Sequence, residues 1–210
     1  MEEKTDRALP EKCVRCSRPM TSPLFCDYCQ TLHPVPGVVD HFQLLRLPRR
    51  FDIDQQALHE SYVALSRHTH PDYHVDDSTE AQALSMTVSA AVNEAYRTLS
   101  DPIRRAAYLL ELLGGPPSAE DKSVPDGFLE TMMMMQEELM DARSTGKAEE
   151  LARLGAVLQT QQEGLMNRVA GLYAELDQAV SCEATRQDLL HEIRKQLNAV
   201  AYVRKLLSQA

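Results

Sequence analysis

Four of the five cysteines fall between residues 13 and 29, as two CxxC pairs, Cys13/Cys16 and Cys26/Cys29, separated by nine residues. Each pair can hold one side of a tetrahedral ion, and thiolates at about 2.3 Å are the ligands Zn²⁺ prefers. The same ligand set also accepts iron. Two knuckles this close form a segment too short to fold by burial alone, so metal binding would supply its folding free energy. Four thiolates complete a tetrahedron and leave no open position for a substrate, so a structural ion is expected. Redox sensing through the CxxC pairs and a weak nucleic-acid contact are the competing roles. Lys12, Arg15 and Arg18 make the first knuckle basic, but no aromatic stacking platform accompanies them. The fifth cysteine, Cys182, stands alone, and no role is assigned to it. An odd, clustered count behind a start with no secretory pattern argues for metal rather than disulfides.

The second chemical signal is the tripeptide His70-Pro71-Asp72, set between two amphipathic stretches. Pro71 fixes φ near −65° and ends the preceding helix, so His70 and Asp72 project from a loop tip. Asp72 suits a bidentate contact with an arginine of a partner. The plain reading is that both residues only cap helices at a turn. A metal cluster of His68, His70 and His74 with Asp72 is the other alternative, made awkward by Pro71 between two of the ligands. The third signal is the segment 128–141, FLETMMMMQEELMD. Phe128, Met132, Met135 and Leu139 make one apolar stripe, and Leu129, Met133, Met134 and Met140 add apolar side chains on adjacent faces. Adaptable methionines recur at recognition surfaces, and Glu130, Glu137, Glu138 and Asp141 fringe this one with negative charge. Packing of the extra methionines in the core is the alternative.

These groups must be positioned by helices. Hydrophobic residues make up 43% of the 210, charged residues 25% and aromatics only 5%, with no Trp, a bias towards helix and away from sheet. Residues 1–39 are punctuated by Pro10, Pro19, Pro23, Pro34 and Pro36 and read as turns followed by a linker. In residues 40–114, DHFQLLRL is a short first helix with Phe42 and Leu45 inward. Asp54 caps a second helix with Leu58, Tyr62 and Leu65 on one face, ending before Pro71. Thr79-Glu80-Ala81-Gln82 has the form of a capping box for a third, buried along Val88, Val92, Ala95, Tyr96 and Leu99. Asp101-Pro102 opens a fourth, stopped by Gly114-Gly115-Pro116-Pro117. Residues 118–210 carry three stripes. The first starts near Ser123. The second runs along Leu151, Leu154, Leu158, Leu165, Leu172 and Leu176. The third runs along Leu190, Ile193, Leu197, Val200 and Leu207. Turns around Ser144–Gly146 and Ser181 predict an antiparallel three-helix bundle. The expected fold class is all-α: a helical hairpin, then the bundle, preceded by the small knuckle segment.

Helix I with HFQLL, the His70-Pro71-Asp72 loop, and NEAYRTLSDPIRRAAYLL together resemble the J-domain family. The ending RRAAYLL followed by a three-helix unit is similar to the HscB type, whose members serve iron–sulfur cluster assembly. The resemblance covers roughly residues 40–210, and some members carry a similar four-cysteine N-terminal extension. It implies that His70, Pro71 and Asp72 dock on a DnaK/HscA-type chaperone and accelerate its ATP hydrolysis, with Arg67 and His68 on the basic face of the second helix. That face is thin, and Tyr73 stands where many J-domains place Lys. The resemblance further implies that Leu129, Met133, Met134, Glu137 and Asp141, with the aromatic Tyr202 of the last helix, hold the iron–sulfur scaffold protein. A general J-protein, or a zinc-dependent adaptor serving other clients, is the alternative.

The totals exclude other classes. Net charge is −9, which repels phosphate backbones and anionic lipid, so neither nucleic acid nor membrane is an expected partner. No stretch approaches the roughly 20 apolar residues of a membrane helix, and the start resembles no targeting peptide. A cytoplasmic protein is expected, with a mature mitochondrial matrix protein as the alternative. No phosphate loop of the GxxxxGK[ST] form occurs, so any ATPase belongs to a partner and the chain is not expected to be an enzyme. A weak homodimer stays open.

Overall fold

The computed structural model describes residues 12–37, 39–74, 78–178 and 183–210, and the His74 side chain lies outside that description. Pro10, Val38 of the linker, the centre of the loop after Tyr73, the turn around Ser181, and Cys182 therefore fall outside it. Among the described residues there are seven α-helices and no strand beyond two isolated bridges. They are α1 (His41–Leu44), α2 (Gln55–Thr69), α3 (Thr79–Ser100), α4 (Pro102–Leu112), α5 (Phe128–Ser144), α6 (Ala148–Gln178) and α7 (Glu183–Leu207). A single 3₁₀ turn, Pro71–His74, joins α2 towards α3. The chain divides into two compact units, one up to Pro102 and one from Ile103 to Ala210.

In the first unit α1 is one turn, with Asp40 and Gln43 forming a reciprocal capping box. Arg49 pairs with the buried Asp40 carboxylate. α2 begins where Asp54 accepts from the amides of Gln56 and Ala57. α3 is capped one residue earlier than the sequence pattern suggests. Ser78, not Thr79, takes the extended N-cap conformation, and its hydroxyl accepts from Ala81 N–H. An N-cap hydroxyl accepts from the amide two or three residues on, and Ser78 meets that of Ala81 in this way. α2 packs along α3, and α1 also lies against α3. Phe42, Leu45, Leu58, Leu65, Val88, Val92, Ala95 and Leu99 are buried.

In the second unit Gly114-Gly115 ends α4. Gly114 takes φ +78°, and Gly115 N–H donates to Leu110 O. A Cβ on Gly115 would lie 2.3 Å from Leu110 Cδ1. α4 lies in this unit with α6 and α7. The buried Tyr173 hydroxyl of α6 donates to Ala106 O at 2.7 Å, and Arg186 and Arg194 of α7 donate to Leu113 O and Pro116 O. Those bonds tie α6 to the middle of α4 and α7 to the chain just beyond it, contacts that no sequence periodicity could report. α5 starts at Phe128 rather than near Ser123, because Asp121 accepts from Ser123 N–H and Oγ, and Pro125 O accepts the Phe128 N–H in a turn. Gly127 at φ +73° completes that turn. α6 has 31 residues, about 46 Å at 1.5 Å each. Its buried line runs through Leu154, Leu158, Leu165, Val169 and Tyr173, while Leu172 and Leu176 are half-buried. Leu206 rather than Leu207 is buried at the end of α7. A straight helix drifts against a fixed leucine spacing over several turns, which accounts for both shifts. Phe128, Met132, Leu139, Leu154, Leu158, Val200 and Val203 form the common core.

Candidate functional site

The His70-Pro71-Asp72 tip is presented by a rigid base. Thr69, the last residue of α2, is fully buried, and the buried Ser85 Oγ of α3 donates to its carbonyl at 2.8 Å. His70 then caps α2 in extended conformation. Asp72 N–H donates to His70 Nδ1 at 3.3 Å, and the Asp72 carboxylate oxygen lies 3.6 Å from the same nitrogen. That carboxylate side chain is 83% exposed, so it is held in place yet open to a partner. Along one side Tyr62, Val63, Ser66, Arg67, His70, Asp72 and Tyr73 line a shallow groove of about 480 Å³. The structure thus brings Arg67 together with His70 and Asp72. His68 stays exposed, but one face of its ring stacks on Phe25 at 4.3 Å. Behind the tip, Tyr62 stacks on Tyr96 at 4.1 Å and its hydroxyl donates to Asn93 Oδ1. The role of Ser85 was legible in retrospect, as a small hydroxyl on the stripe that continues into Val88 and Val92. Phe25 carried no such signal, since its partner lies 43 residues away.

The four cysteines converge. Their sulfurs all lie within 4.8 Å of one another, with Cys13–Cys29 at 3.5 Å and Cys16–Cys26 at 3.6 Å. A tetrahedron with 2.3 Å metal–sulfur bonds has edges of about 3.8 Å, whereas a disulfide needs about 2.05 Å; the donor set fits one ion. The two knuckles share one backbone plan, displaced by 13 residues. Cys13 N–H donates to Arg18 O and Cys26 N–H to Thr31 O. Ser17 N–H returns to Cys13 O and Gln30 N–H to Cys26 O. Ser17 and Gln30 both take left-handed φ, 58° and 57°, and the bridges Lys12–Pro19 and Phe25–Leu32 complete the match. The hydroxyl and amide of Thr31, with help from neighbouring sulfurs, lower the Cys29 thiol to about 6. The Arg18 amide draws the Cys16 thiol down, but desolvation and the other sulfurs outweigh it and push that thiol up to about 11. A bound cation would deprotonate the coordinating thiols outright. No cluster of three or more metal-ligating side chains other than these cysteines occurs among the described residues, and the His74 side chain invoked for a histidine cluster is outside them.

α5 exposes what its sequence suggested. Phe128, Met132 and Leu139 face the core, whereas Leu129, Met133, Met134 and Met140 are 49%, 59%, 59% and 62% exposed. Leu129, Met133, Gln136 and Met140 form the stripe one residue, hence about 100°, around from the buried one. Glu130, Met134, Glu137 and Asp141 form the next. Tyr202 of α7 sits edge-on to Phe128 at 6.0 Å and donates to Gln136 Oε1 at 3.3 Å, so it borders the first exposed stripe. Glu137 is exposed, Asp141 lies 3.5 Å from Lys147, and Glu138 3.7 Å from Arg153. No helix among the described residues is long and apolar enough to cross a membrane.

Comparison with known proteins matches this arrangement. The DnaJ domain family model matches residues 40–108. A co-chaperone protein HscB homolog of Neisseria meningitidis is 34% identical over 161 residues, covering 76% of this chain and 97% of the relative. The iron-sulfur cluster co-chaperone protein HscB of Mus musculus is 36% identical over 128 residues, 60% of this chain and 55% of that protein. The crystal structure of human co-chaperone protein HscB superposes with a TM-score of 0.75 at 25% identity, covering 94% of this chain and 95% of that one. A chain with this helical order and an exposed His-Pro-Asp tip, and with a relative aligned over almost its whole length, belongs to the HscB family of J-domain co-chaperones.

Proposed function

We propose that the protein stimulates the ATPase of a DnaK/HscA-type chaperone through His70, Pro71 and Asp72, with Arg67 and His68 extending the contact along α2. In the same reading α5 and Tyr202 hold the iron–sulfur scaffold protein, through Leu129, Met133, Met134, Glu137 and Asp141. Three functional segments follow: a metal segment in 1–39, a J-domain in 40–114 and a client-binding domain in 118–210. Cys13, Cys16, Cys26 and Cys29 would hold one structural Zn²⁺, which ties the two knuckles together when bound. A cytoplasmic setting accords with the bacterial relatives.

The observation that carries the reading is the contrast at the end of α2. Thr69 and Ser85 are buried and bonded, while three residues on the Asp72 carboxylate is 83% exposed, with His70 Nδ1 3.6 Å away. A charged group held by a rigid base and left open is preorganised for an arginine fork. The sequence holds no GxxxxGK[ST] phosphate loop, so in this reading hydrolysis happens on the partner and Asp72 acts by docking.

The test is steady-state ATP hydrolysis by the chaperone with this protein, with and without scaffold protein. Stimulation that rises when both are present, and that Asp72→Asn abolishes, supports dedicated cluster-assembly service. Stimulation indifferent to scaffold reduces the reading to a general J-protein, and no stimulation at all removes it.

A further inference from the structure

The second knuckle of the cysteine segment is seated on the J-domain within the first unit. Phe25, the residue immediately before Cys26, is 8% exposed although it belongs to a loop segment. Its ring lies 4.3 Å from that of His68, nearly parallel at 21°. A groove of about 380 Å³ beside the stack is lined by Phe25 together with Leu45, Leu47, Ala64, Leu65 and His68. Phe25 is held from the other side by the knuckle itself, through its bridge to Leu32 and the Cys26–Thr31 and Gln30–Cys26 backbone bonds. His68 lies in the last turn of α2, two residues before His70.

We propose that Phe25 is a positioning residue for the chaperone-docking end of α2, and that its hold on His68 exists only while the four cysteines carry their ion. The inference rests on the proposed docking role of α2. The physical chain is short. A four-cysteine segment of this size loses its fold without metal. Phe25 then loses the backbone that aims its ring, and His68 loses the aromatic face that helps to orient it. The partner meets an α2 whose basic edge has to be ordered during docking, and binding weakens by that ordering cost. The chemistry at the tip is untouched, because Thr69 and Ser85 anchor it independently. The metal segment therefore acts on the strength of docking rather than on the maximal rate of the docked complex.

The experiment uses the full-length, metal-loaded chain with labelled histidines, His68 being assigned through His68→Gln. Stacking on an aromatic face moves the His68 ring protons upfield. That displacement is expected in the loaded protein, lost in Phe25→Ala, lost on chelation, and kept in Phe25→Tyr. Alongside it, the concentration giving half-maximal ATPase stimulation is expected to rise about three- to tenfold in Phe25→Ala, with the maximal rate unchanged and Phe25→Tyr restoring the wild-type value. Metal content is measured on each variant. Should Phe25→Ala lose its ion, Phe25→Leu, which keeps bulk without the ring, takes its place. His68 resonances that ignore chelation would overturn the metal dependence. Resonances that move while the half-maximal concentration stays at the wild-type value would overturn the positioning role. A wild-type protein that fails to stimulate any DnaK-type chaperone sinks the docking reading itself, and the resonance arm still separates that failure from this one.

Discussion

Met132 and Met133 are neighbours in sequence, identical in chemistry and opposite in surroundings, so truncating each to alanine separates folding from binding on α5. Met132 is fully buried between α5, α6 and α7. Met132→Ala leaves a cavity and should cost about 2–5 kcal/mol of stability. For a unit of this size each kcal/mol moves Tm by roughly 4–8 °C, so a loss of roughly 8–40 °C is expected. Met133 is 59% exposed, and its truncation should change stability by no more than about 0.5 kcal/mol. Burying a whole Met side chain is worth about 1.5–3 kcal/mol. The fraction of Met133 still exposed, 59%, leaves about 0.9–1.8 kcal/mol to be gained on docking, roughly a five- to twentyfold change in Kd. Thermal unfolding and isothermal titration with the iron–sulfur scaffold protein read the two quantities separately. A Met133→Ala protein that melts early yet binds scaffold as tightly as wild type would refute the assignment of this stripe to client, and would make it packing against another part of the fold.

Asp72→Asn should leave the unfolding midpoint within about 0.5 kcal/mol of wild type, because its carboxylate is exposed, while ATPase stimulation disappears; a destabilised variant would assign Asp72 a structural role instead. Cys13→Ser with Cys16→Ser should release one metal ion per chain, read by elemental analysis, and unchanged metal content contradicts the cage. Tyr173→Phe removes the buried hydroxyl that donates to Ala106 O and should cost about 1–3 kcal/mol in chemical denaturation; a loss below about 0.5 kcal/mol would mean that α4 is held without it. Burial lowers the pKa of His33 and of His41, the latter partly offset by Glu94 and Asp40. With folded values below the unfolded one of about 6.5, the unfolded chain takes up protons first. The stability these residues contribute is then present above about pH 6.5 and is lost as pH falls through their folded values. NMR titration of the two rings should give midpoints below 6.5, and ordinary midpoints would contradict their burial.

Several elements were decided by local chemistry and could be read from the residues. The Asp54 and Asp101-Pro102 boundaries, the break at Pro71 and the double-glycine stop after α4 each follow from a side chain or a φ preference acting on its own neighbours. The apolar stripes of α2, α3 and α5 follow from the 3.6-residue period, and the cysteine spacing alone announces a tetrahedral site.

What the tertiary structure decided is everything that depends on a group distant along the chain. Whether Met133 is core or surface turns on what covers it, and periodicity cannot count the faces that neighbours fill. Tyr173, Arg186 and Arg194 reach back more than 60 residues to carbonyls in and just after α4. Ser78 displaced Thr79 as cap because two adjacent hydroxyls compete and backbone geometry chooses between them. The buried line of α6 slid from Leu172 to Tyr173 because helical drift adds up over 31 residues. The seat of Phe25 on His68 required the fold to bring a metal knuckle to the end of α2. Local sequence fixes dihedrals, caps and ligand sets; only the closed chain fixes which of those groups meet.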